Sequence, residues 1–440
     1  MKTKVALVSF GCAKNLVDSE VMLGFLKKAG YVLAAEPESA DVVILNTCGF
    51  IRPARDEAEA AIRGALSLKK RRPGLKVVAA GCYVQRNRAA LAAAHPGVDH
   101  WLDVAEFDRI VPVLAGVRGG RARRTFLYSH LSPRVVSTPR GWAYVKISEG
   151  CSRRCAFCSI PLIKGPYRSR PAASILEEVR RLAGQGVREV NLVSQDTTYY
   201  GRDLGRKDGL ARLVPKLESV PGLEWIRLLY GYPGELTEAL LDVMTHAKVC
   251  PYFDLPFQHA DRSLLRRMGR SGDADRSLRL VDKIRKRVPG AALRTALIVG
   301  LPGEGPAEFR SLERFVRRAA FDHLGVFTYS PEEGTPASGL KDTVPESVKR
   351  SRRGRLMRLQ RDISRRRNER YLGCTLEVLL DAASPREACL ALGRTRFQAP
   401  EVDGLVRVRT PGPAAGLLHD IRRVEITAAG VYDLRGRLIG

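Results

Sequence analysis

A chain of 440 residues with 45% hydrophobic side chains is too long for one ordinary core, so about three domains are expected. Its formal net charge of +27 would ordinarily favour a nucleic-acid partner, and no run of about eighteen apolar residues is present to span a membrane. The start, MKTKVALVSFGC, passes straight into a strand-like run rather than a signal segment with a cleavage site, which points to the cytoplasm; nine cysteines in that reducing compartment read as metal ligands and buried single thiols, not as a disulfide framework.

The first domain, expected over 1–120, repeats one unit. KVALVSFG precedes Cys12, DVVILNT precedes Cys48 and KVVAAG precedes Cys82, and a helical-looking segment follows each cysteine. Three βα units of this kind stack as a parallel sheet with right-handed crossovers, so their strand ends emerge on one edge and thiols distant in sequence can meet there. A lone buried cysteine is the usual expectation, but three unrelated ones have no reason to fall just beyond three strands. The domain ends in the Gly- and Arg-rich stretch Gly119 to Arg124, with a loose segment to about Pro139.

The second domain, 137–368, opens with the apolar run Trp142 to Ser148, and Glu149-Gly150 turns the chain into EGCSRRCAFC. Cys151, Cys155 and Cys158 stand there at CxxxCxxC spacing with no fourth Cys or His nearby. A cubane held by three thiolates leaves one iron open to an exogenous ligand, whereas structural zinc and electron-transfer clusters normally have every position filled by protein. A zinc knuckle borrowing a remote His, or a redox disulfide, are the plainer readings of the same thiols. Six short apolar runs, Ala143 to Ser148, Glu189 to Ser194, Trp225 to Tyr230, Tyr252 to Phe257, Ala292 to Val299 and Leu324 to Tyr329, are separated by helix-sized intervals. They predict a partial (βα)6 barrel of parallel strands, open on one side, with its site at the strands' C-terminal ends.

Pro345 to Arg370 reads as a basic amphipathic helix, with Leu356, Leu359 and Ile363 recurring at spacings of three and four. From 370 to 438 the pattern alternates through TLEVLL, ACLALGRTRF, GLVRVR, RRVEIT and GVYDLRG, which predicts a small five-stranded β-barrel. Cys250, Cys374 and Cys389 have no partner at ligand spacing and are expected to be inert packing residues.

With Phe157 before its last thiol, the cysteine loop resembles that of the radical S-adenosylmethionine (SAM) enzymes. SFGCAKNLVDSE, ADVVILNTCGFI, ISEGCSRRCAFCSIP, LVSQDTTYYG and IVGLPGE resemble the successive motifs of the radical SAM methylthiotransferases, over essentially the whole chain. The run Lys14 to Glu20 and the pieces Ala399 to Gly404 and Tyr432 to Gly436 are similar to the branch that modifies an aspartate of small ribosomal subunit protein 12; the usual last word has an aromatic residue where Arg435 stands.

The resemblance implies an α/β multidomain fold: a parallel α/β domain, a TIM-like radical SAM barrel and a TRAM-like β-barrel. It implies two 4Fe-4S clusters, one on Cys12, Cys48 and Cys82 and one on Cys151, Cys155 and Cys158, with no catalytic residue beyond these ligands. One SAM supplies a methyl group to sulfur at the first cluster. A second, cleaved reductively at the other, yields the adenosyl radical that removes hydrogen from the aspartate β-carbon. Gln195 and Asp196 would meet the methionine amine, and Gln258 lies at a later strand end. Ile298, Gly300 and Gly303 would lie where backbone approaches adenine. His259, beside Gln258, reads more simply as a satisfied structural histidine. An electron donor such as ferredoxin or flavodoxin and a monomeric state complete the expectation.

Charge bears on the substrate in two ways. The terminal barrel nearly balances its arginines against acids, and with the acidic APEVDG word this suits a basic protein substrate; the arginine elsewhere fits equally a compositional habit of the source organism and contact with ribosomal RNA around the target. The alternatives are a tRNA methylthiotransferase acting on a modified adenosine beside the anticodon, and a non-catalytic iron-sulfur sensor that binds ribosomal RNA.

Overall fold

The computed structural model describes residues 2–117, 126–341 and 344–439, so the stretch Gly119 to Arg124 lies outside the described residues. In the first part, β1 (Lys4–Ser9), β2 (Val32–Leu33), β3 (Val42–Thr47), β4 (Lys76–Gly81) and β5 (His100–Leu102) form a parallel sheet in the order β2-β1-β3-β4-β5. β3 is buried at every residue, as a central parallel strand covered on both faces must be, which is why VVILNT reads as a nearly continuous apolar run. Ser9 lies opposite Asn46, and Thr47 opposite Gly81, so the three long strands end in step. The short edge strands β2 and β5 carry too few residues to announce themselves by pattern.

The helix Ala13–Lys28 departs from the usual one-sided burial. Lys14, Asn15, Asp18, Ser19 and Glu20 are all buried, alongside Val17, Val21 and Met22. The helix is wedged between its own sheet and the second domain, so its polar residues serve as joints. Asn15 donates to the carbonyls of Phe10 at 2.7 Å and Asn46 at 3.1 Å, and Ser19 donates to Ser9 at 2.8 Å.

The segment from 126 to 139 is strapped down, contrary to the expectation of a loose connection. Arg134 pairs with Glu20 at 2.6 Å and Glu178 at 2.7 Å, Tyr128 donates to Glu178, and the Ser137 amide donates to Glu20 at 2.7 Å. Two buried carboxylates, one from each domain, require a cation between them, and the segment delivers it.

The second part begins with β6 (Trp142–Lys146), followed by β7 (Ser148–Glu149), which pairs antiparallel with β8 (Arg168–Ser169). β9 (Glu189–Val193) and β10 (Trp225–Leu228) join β6 in the parallel order β10-β9-β6; β11 (Tyr252–Asp254), β12 (Ala292–Val299) and β13 (His323–Thr328) form a second parallel sheet. A parallel bridge from Ile226 to Val249 links the halves, and among the described residues no pairing joins β6 to β13, so the six expected units make an open barrel. Val145, Val190, Ile226, Phe253 and Leu297 belong to its continuous core.

The basic helix, Glu346–Glu369, buries Leu356 and Ile363 against that core, with Leu359 partly covered. Much of its charge is internal: Arg352 pairs with Glu304 at 3.1 Å, Arg367 with Asp322 at 2.9 Å, and Arg353 donates to the Val326 carbonyl at 3.0 Å.

The last part closes β14 (Thr375–Ala383), β15 (Leu390–Thr395), β16 (Val406–Arg409), β17 (Ile421–Ala429) and β18 (Leu434–Leu438) into a barrel in the order β14-β15-β16-β18-β17. It docks under the second domain through buried ions: Arg227 meets Glu189 at 2.7 Å, and Arg394 meets Glu189 at 2.9 Å and Asp381 at 2.7 Å. Of the acids in the APEVDG word, Asp403 has a buried side chain and Glu401 is exposed. Asp403 accepts from Tyr252 at 2.6 Å and faces His323 at 3.4 Å and Arg294 at 3.5 Å, while Glu401 accepts from Tyr144 at 2.9 Å, so the word closes the base of the open barrel. The near-neutral balance of this domain thus includes Asp403, whose side chain is buried. Cys250 is fully buried, as expected, but Cys374 and Cys389 are exposed on turns of the terminal barrel and do no packing.

Candidate active site

The sheet order places β1, β3 and β4 side by side, and each is followed within three residues by a cysteine. Cys12 is the N-cap of the first helix, Cys48 follows β3, and Cys82 opens the helix after β4. Gly11 adopts φ +93°, and a Cβ there would stand 2.7 Å from the Cys48 Cβ and 2.9 Å from its Sγ. Only glycine lets the two strand ends approach so closely. A Cβ at Gly49 would likewise meet the Tyr83 Cα at 2.6 Å. The glycines flanking each cysteine, Gly11, Gly49 and Gly81, were a legible sign of this crowding that the sequence reading left unused. Burial raises the Cys48 thiol, opposed by the Phe50 amide, with Cys12 adding to the rise. Burial likewise pushes Cys82 up to about 12, opposed by Lys164, with Cys12 and Cys48 adding. Charge at Cys12 is thus felt at both other thiols.

The second triad lies on the loop beyond β7, at the C-terminal end of the first barrel strand. The loop is pinned by its backbone: the Cys151 amide donates to Gly165 at 3.0 Å, Ala156 to Met268 at 2.9 Å, and Ala337 to the Ala156 carbonyl at 2.8 Å. Arg153 is fixed by Asp196 at 2.7 Å and Glu235 at 2.8 Å and lies over the Tyr232 ring. Burial pushes the Cys158 thiol up to about 12, with the Ile160 amide opposing and Cys155 and Cys151 adding. Among the described residues no three His, Cys, Asp or Glu side chains converge as closely as ligands of one ion must. Thiolates that each take a different iron corner of a cluster need not, and three soft sulfur donors per site suit iron-sulfur chemistry.

A set of four buried ions joins the two cysteine-bearing domains. Lys146, inside the run read as apolar, pairs with Asp18 and, at 2.8 Å, with Glu149; Lys164 reaches Asp18 at 3.3 Å and Glu149 at 3.5 Å. Glu149 is held down at about 2: burial opposes its charge, but Lys146 and Lys164 outweigh it. Ser159, next to Cys158, donates to the Phe50 carbonyl at 3.3 Å. Glu332 accepts from the Arg52 amide at 3.0 Å and from Arg86 at 2.7 Å, which ties the far rim of the barrel to the first domain. None of these joints carries a spacing signature; a buried lysine in a strand looks like any other until its partners are seen.

The remaining candidates divide by what already occupies them. Gln195 donates to Glu149 at 3.2 Å, and its carbonyl oxygen is buried without a partner among the described residues. Asp196 is engaged by Arg153 and by the Thr198 hydroxyl at 2.6 Å. Gln258 sits at φ +70°, its carbonyl accepting from the Ile298 amide at 2.8 Å, and Ile298 packs on the same apolar cluster as Phe157 of the cysteine loop. A Cβ on Gly300, at φ +81°, would collide with the Lys349 side chain, and one on Gly303 with the Arg267 guanidinium, so the chain itself demands both glycines. His259 is fully buried, its pKa lowered to about 4 by burial, and its Nδ1 accepts from the Asp261 amide at 3.0 Å. Its Nε2 is buried without a partner among the described residues.

An open parallel barrel with a CxxxCxxC loop at its first strand end defines a radical SAM protein, here extended by a second cysteine-bearing sheet and a terminal β-barrel. Residues 145–316 match the radical SAM superfamily, residues 372–439 the TRAM domain, and residues 4–103 the family described as "Uncharacterized protein family UPF0004". The chain is 46% identical to a protein of Symbiobacterium thermophilum called ribosomal protein uS12 methylthiotransferase RimO, covering 98% of this chain and 90% of that one. It is 45% identical to the protein of the same name from Aquifex aeolicus, covering 99% and 97%. It belongs to the RimO family of radical SAM methylthiotransferases. The fold is also similar to that of the radical SAM methyltransferase TsrM of Kitasatospora setae, with a TM-score of 0.55 at 17% identity and 77% of each chain covered.

Proposed function

We infer that this chain methylthiolates the β-carbon of an aspartate in ribosomal protein uS12, working with SAM and two 4Fe-4S clusters. The observation that carries the reading is the pairing of two three-thiol sites across one bridge of buried ions, in a chain that matches uS12 methylthiotransferases end to end. Cys12, Cys48 and Cys82 would hold one cluster and Cys151, Cys155 and Cys158 the other. When bound, these groups supply reductive cleavage of SAM to an adenosyl radical and delivery of a methylthio group.

The protein's own part is to bind, orient and exclude water. The unpartnered carbonyl oxygen of Gln195 is suited to accept from the methionine ammonium, with Glu149 behind it fixing the amide. Asp196 acts one step removed, by holding Arg153 over Tyr232 and so shaping the loop that carries the thiols. Gln258, Ile298, Gly300 and Gly303 frame the opposite wall, where Ile298 and Phe157 offer an apolar face for adenine. The ions between the triads keep the two domains in one register, so that a carbon activated at one site lies within reach of sulfur at the other.

No helix among the described residues is long and apolar enough to cross a membrane. A cytoplasmic monomer meeting its substrate where ribosomes are made fits this chemistry, and a surplus of positive charge suits both ribosomal RNA beside the target and an acidic donor such as ferredoxin or flavodoxin. The relatives carry a ribosomal-protein name, which favours protein over tRNA as substrate. Reduced, reconstituted enzyme given SAM with uS12, or with tRNA, decides the matter by mass spectrometry. The methylthio increment is expected on the uS12 aspartate, and its appearance on tRNA alone would overturn the assignment.

A further inference from the structure

The run Lys14 to Glu20 contributes five buried polar residues, each of them answered by protein. Asn15 reaches two backbone carbonyls, Asp18 two lysines, Ser19 the hydroxyl of Ser9, and Glu20 the guanidinium of Arg134. Lys14 is answered instead by Tyr230. It is only 8% exposed, yet among the described residues no carboxylate stands within ion-pair distance of its Nζ. Its neighbour is an aromatic face, the ring of Tyr230, with the ammonium 3.2 Å from the centroid.

Two features set this placement apart. Lys14 lies in the first turn of its helix, where the aligned peptide dipoles repel a cation. Tyr230 holds φ +62°, a region that bulky residues rarely occupy, and is fixed there by Asp254, which accepts from its amide at 2.9 Å, and by its carbonyl, which accepts from Thr197 at 3.0 Å. Asp254 is itself engaged by Arg294 at 3.1 Å. The strained backbone brings the ring from the end of β10 to the start of the first helix, where Cys12 stands two residues before Lys14. The ammonium is thus seated between the barrel mouth and the first triad, with the Tyr230 ring against it.

We propose that Lys14 is a specificity-determining residue that receives the side-chain carboxylate of the target aspartate, a role that rests on the reading of the chain as a uS12 methylthiotransferase. That carboxylate is bonded directly to the carbon that loses hydrogen, so anchoring it fixes the reacting carbon between the two triads. A poorly hydrated cation over a π-face is a strong and selective partner for one carboxylate, and a neutral base of RNA would have no use for it.

The test uses full-length reconstituted enzyme and fluorescence anisotropy with two labelled peptides of the uS12 target loop, one carrying the native Asp and one Asn in its place. Wild type is expected to prefer the Asp peptide by about tenfold or more, Lys14→Gln to bind both equally weakly, and Lys14→Arg to keep a preference. Iron content and SAM affinity of Lys14→Gln should match wild type. Retention of the Asp preference by Lys14→Gln overturns the role of Lys14 alone. A parallel loss of SAM affinity would assign the cation to the methionine carboxylate, and loss of iron would assign it to the cluster; either result also overturns it. Failure of wild type to bind the Asp peptide overturns the uS12 reading and this role with it.

Discussion

Replacing Asp18 with Asn removes one negative charge from a set of four ions that water barely reaches. Side-chain exposures are 2% for Asp18, 0% for Lys146, 4% for Lys164 and 1% for Glu149, and two carboxylates balance two ammoniums. After Asp18→Asn two cations face the single carboxylate of Glu149. Deleting one member of a buried pair costs about 3–5 kcal/mol, because the charge left behind is neither solvated nor matched. Asp18 comes from the first domain and the other three from the second, so the loss falls on the interface that keeps the triads together. Lys164→Met added to Asp18→Asn restores neutrality, leaves the Lys146–Glu149 contact of 2.8 Å in place, and should recover all but about 1–2 kcal/mol. Urea unfolding followed by tryptophan fluorescence reads the effect, since Trp101 reports the first sheet and Trp142 and Trp225 the barrel. A single variant within about 0.5 kcal/mol of wild type, or a double variant no better than the single, would refute the claim that charge balance joins the domains.

Asp403→Asn removes the negative charge facing His323 and Arg294 at the base of the barrel and weakens the acceptor of Tyr252. It should loosen the terminal domain by about 2–3 kcal/mol and raise hydrogen exchange in β14 to β18, and unchanged exchange there would count against the plug. Glu178 has its pKa lowered, since burial opposes its charge but Arg170 and Arg134 outweigh it. Its contribution is therefore fully present above the unfolded carboxylate value near about 4.3 and is lost as pH falls through the lower folded value. The stability gap between wild type and Glu178→Gln should stay flat from pH 8 to about 5 and narrow only in stronger acid; a gap that closes near neutrality would contradict this. Cys155→Ala should abolish 5′-deoxyadenosine formation, whereas Cys48→Ala should retain it and lose sulfur insertion. Chromatography of the products separates the two, and insertion by Cys48→Ala would reject the division of labour.

Periodicity and spacing made the architecture legible because parallel strands and cysteine ligands leave local marks. VVILNT ahead of Cys48 and WAYVKIS ahead of Cys151 were readable as strands, and the sheet order sets the three strands ahead of Cys12, Cys48 and Cys82 side by side. What stayed hidden depends on partners distant in sequence. Lys146 and Asp18 lie 128 residues apart, Arg134 and Glu20 114, and nothing local to either member announces the pair. Asp403 of the APEVDG word stayed hidden for the same reason: it was counted as surface charge, whereas Tyr252, Arg294 and His323 take it inside. Tyr230 carried no signal at all, because a left-handed φ in a tyrosine is imposed by the fold and not by the residue.

Iron counting tests the account most directly, since two separate three-thiolate centres are its foundation. Anaerobically reconstituted wild type should carry about eight iron atoms per chain, and Cys48→Ala and Cys155→Ala about four each, with Mössbauer spectra that show a different cluster remaining in each variant. About four irons in wild type, or loss of both clusters from either substitution alone, would contradict it.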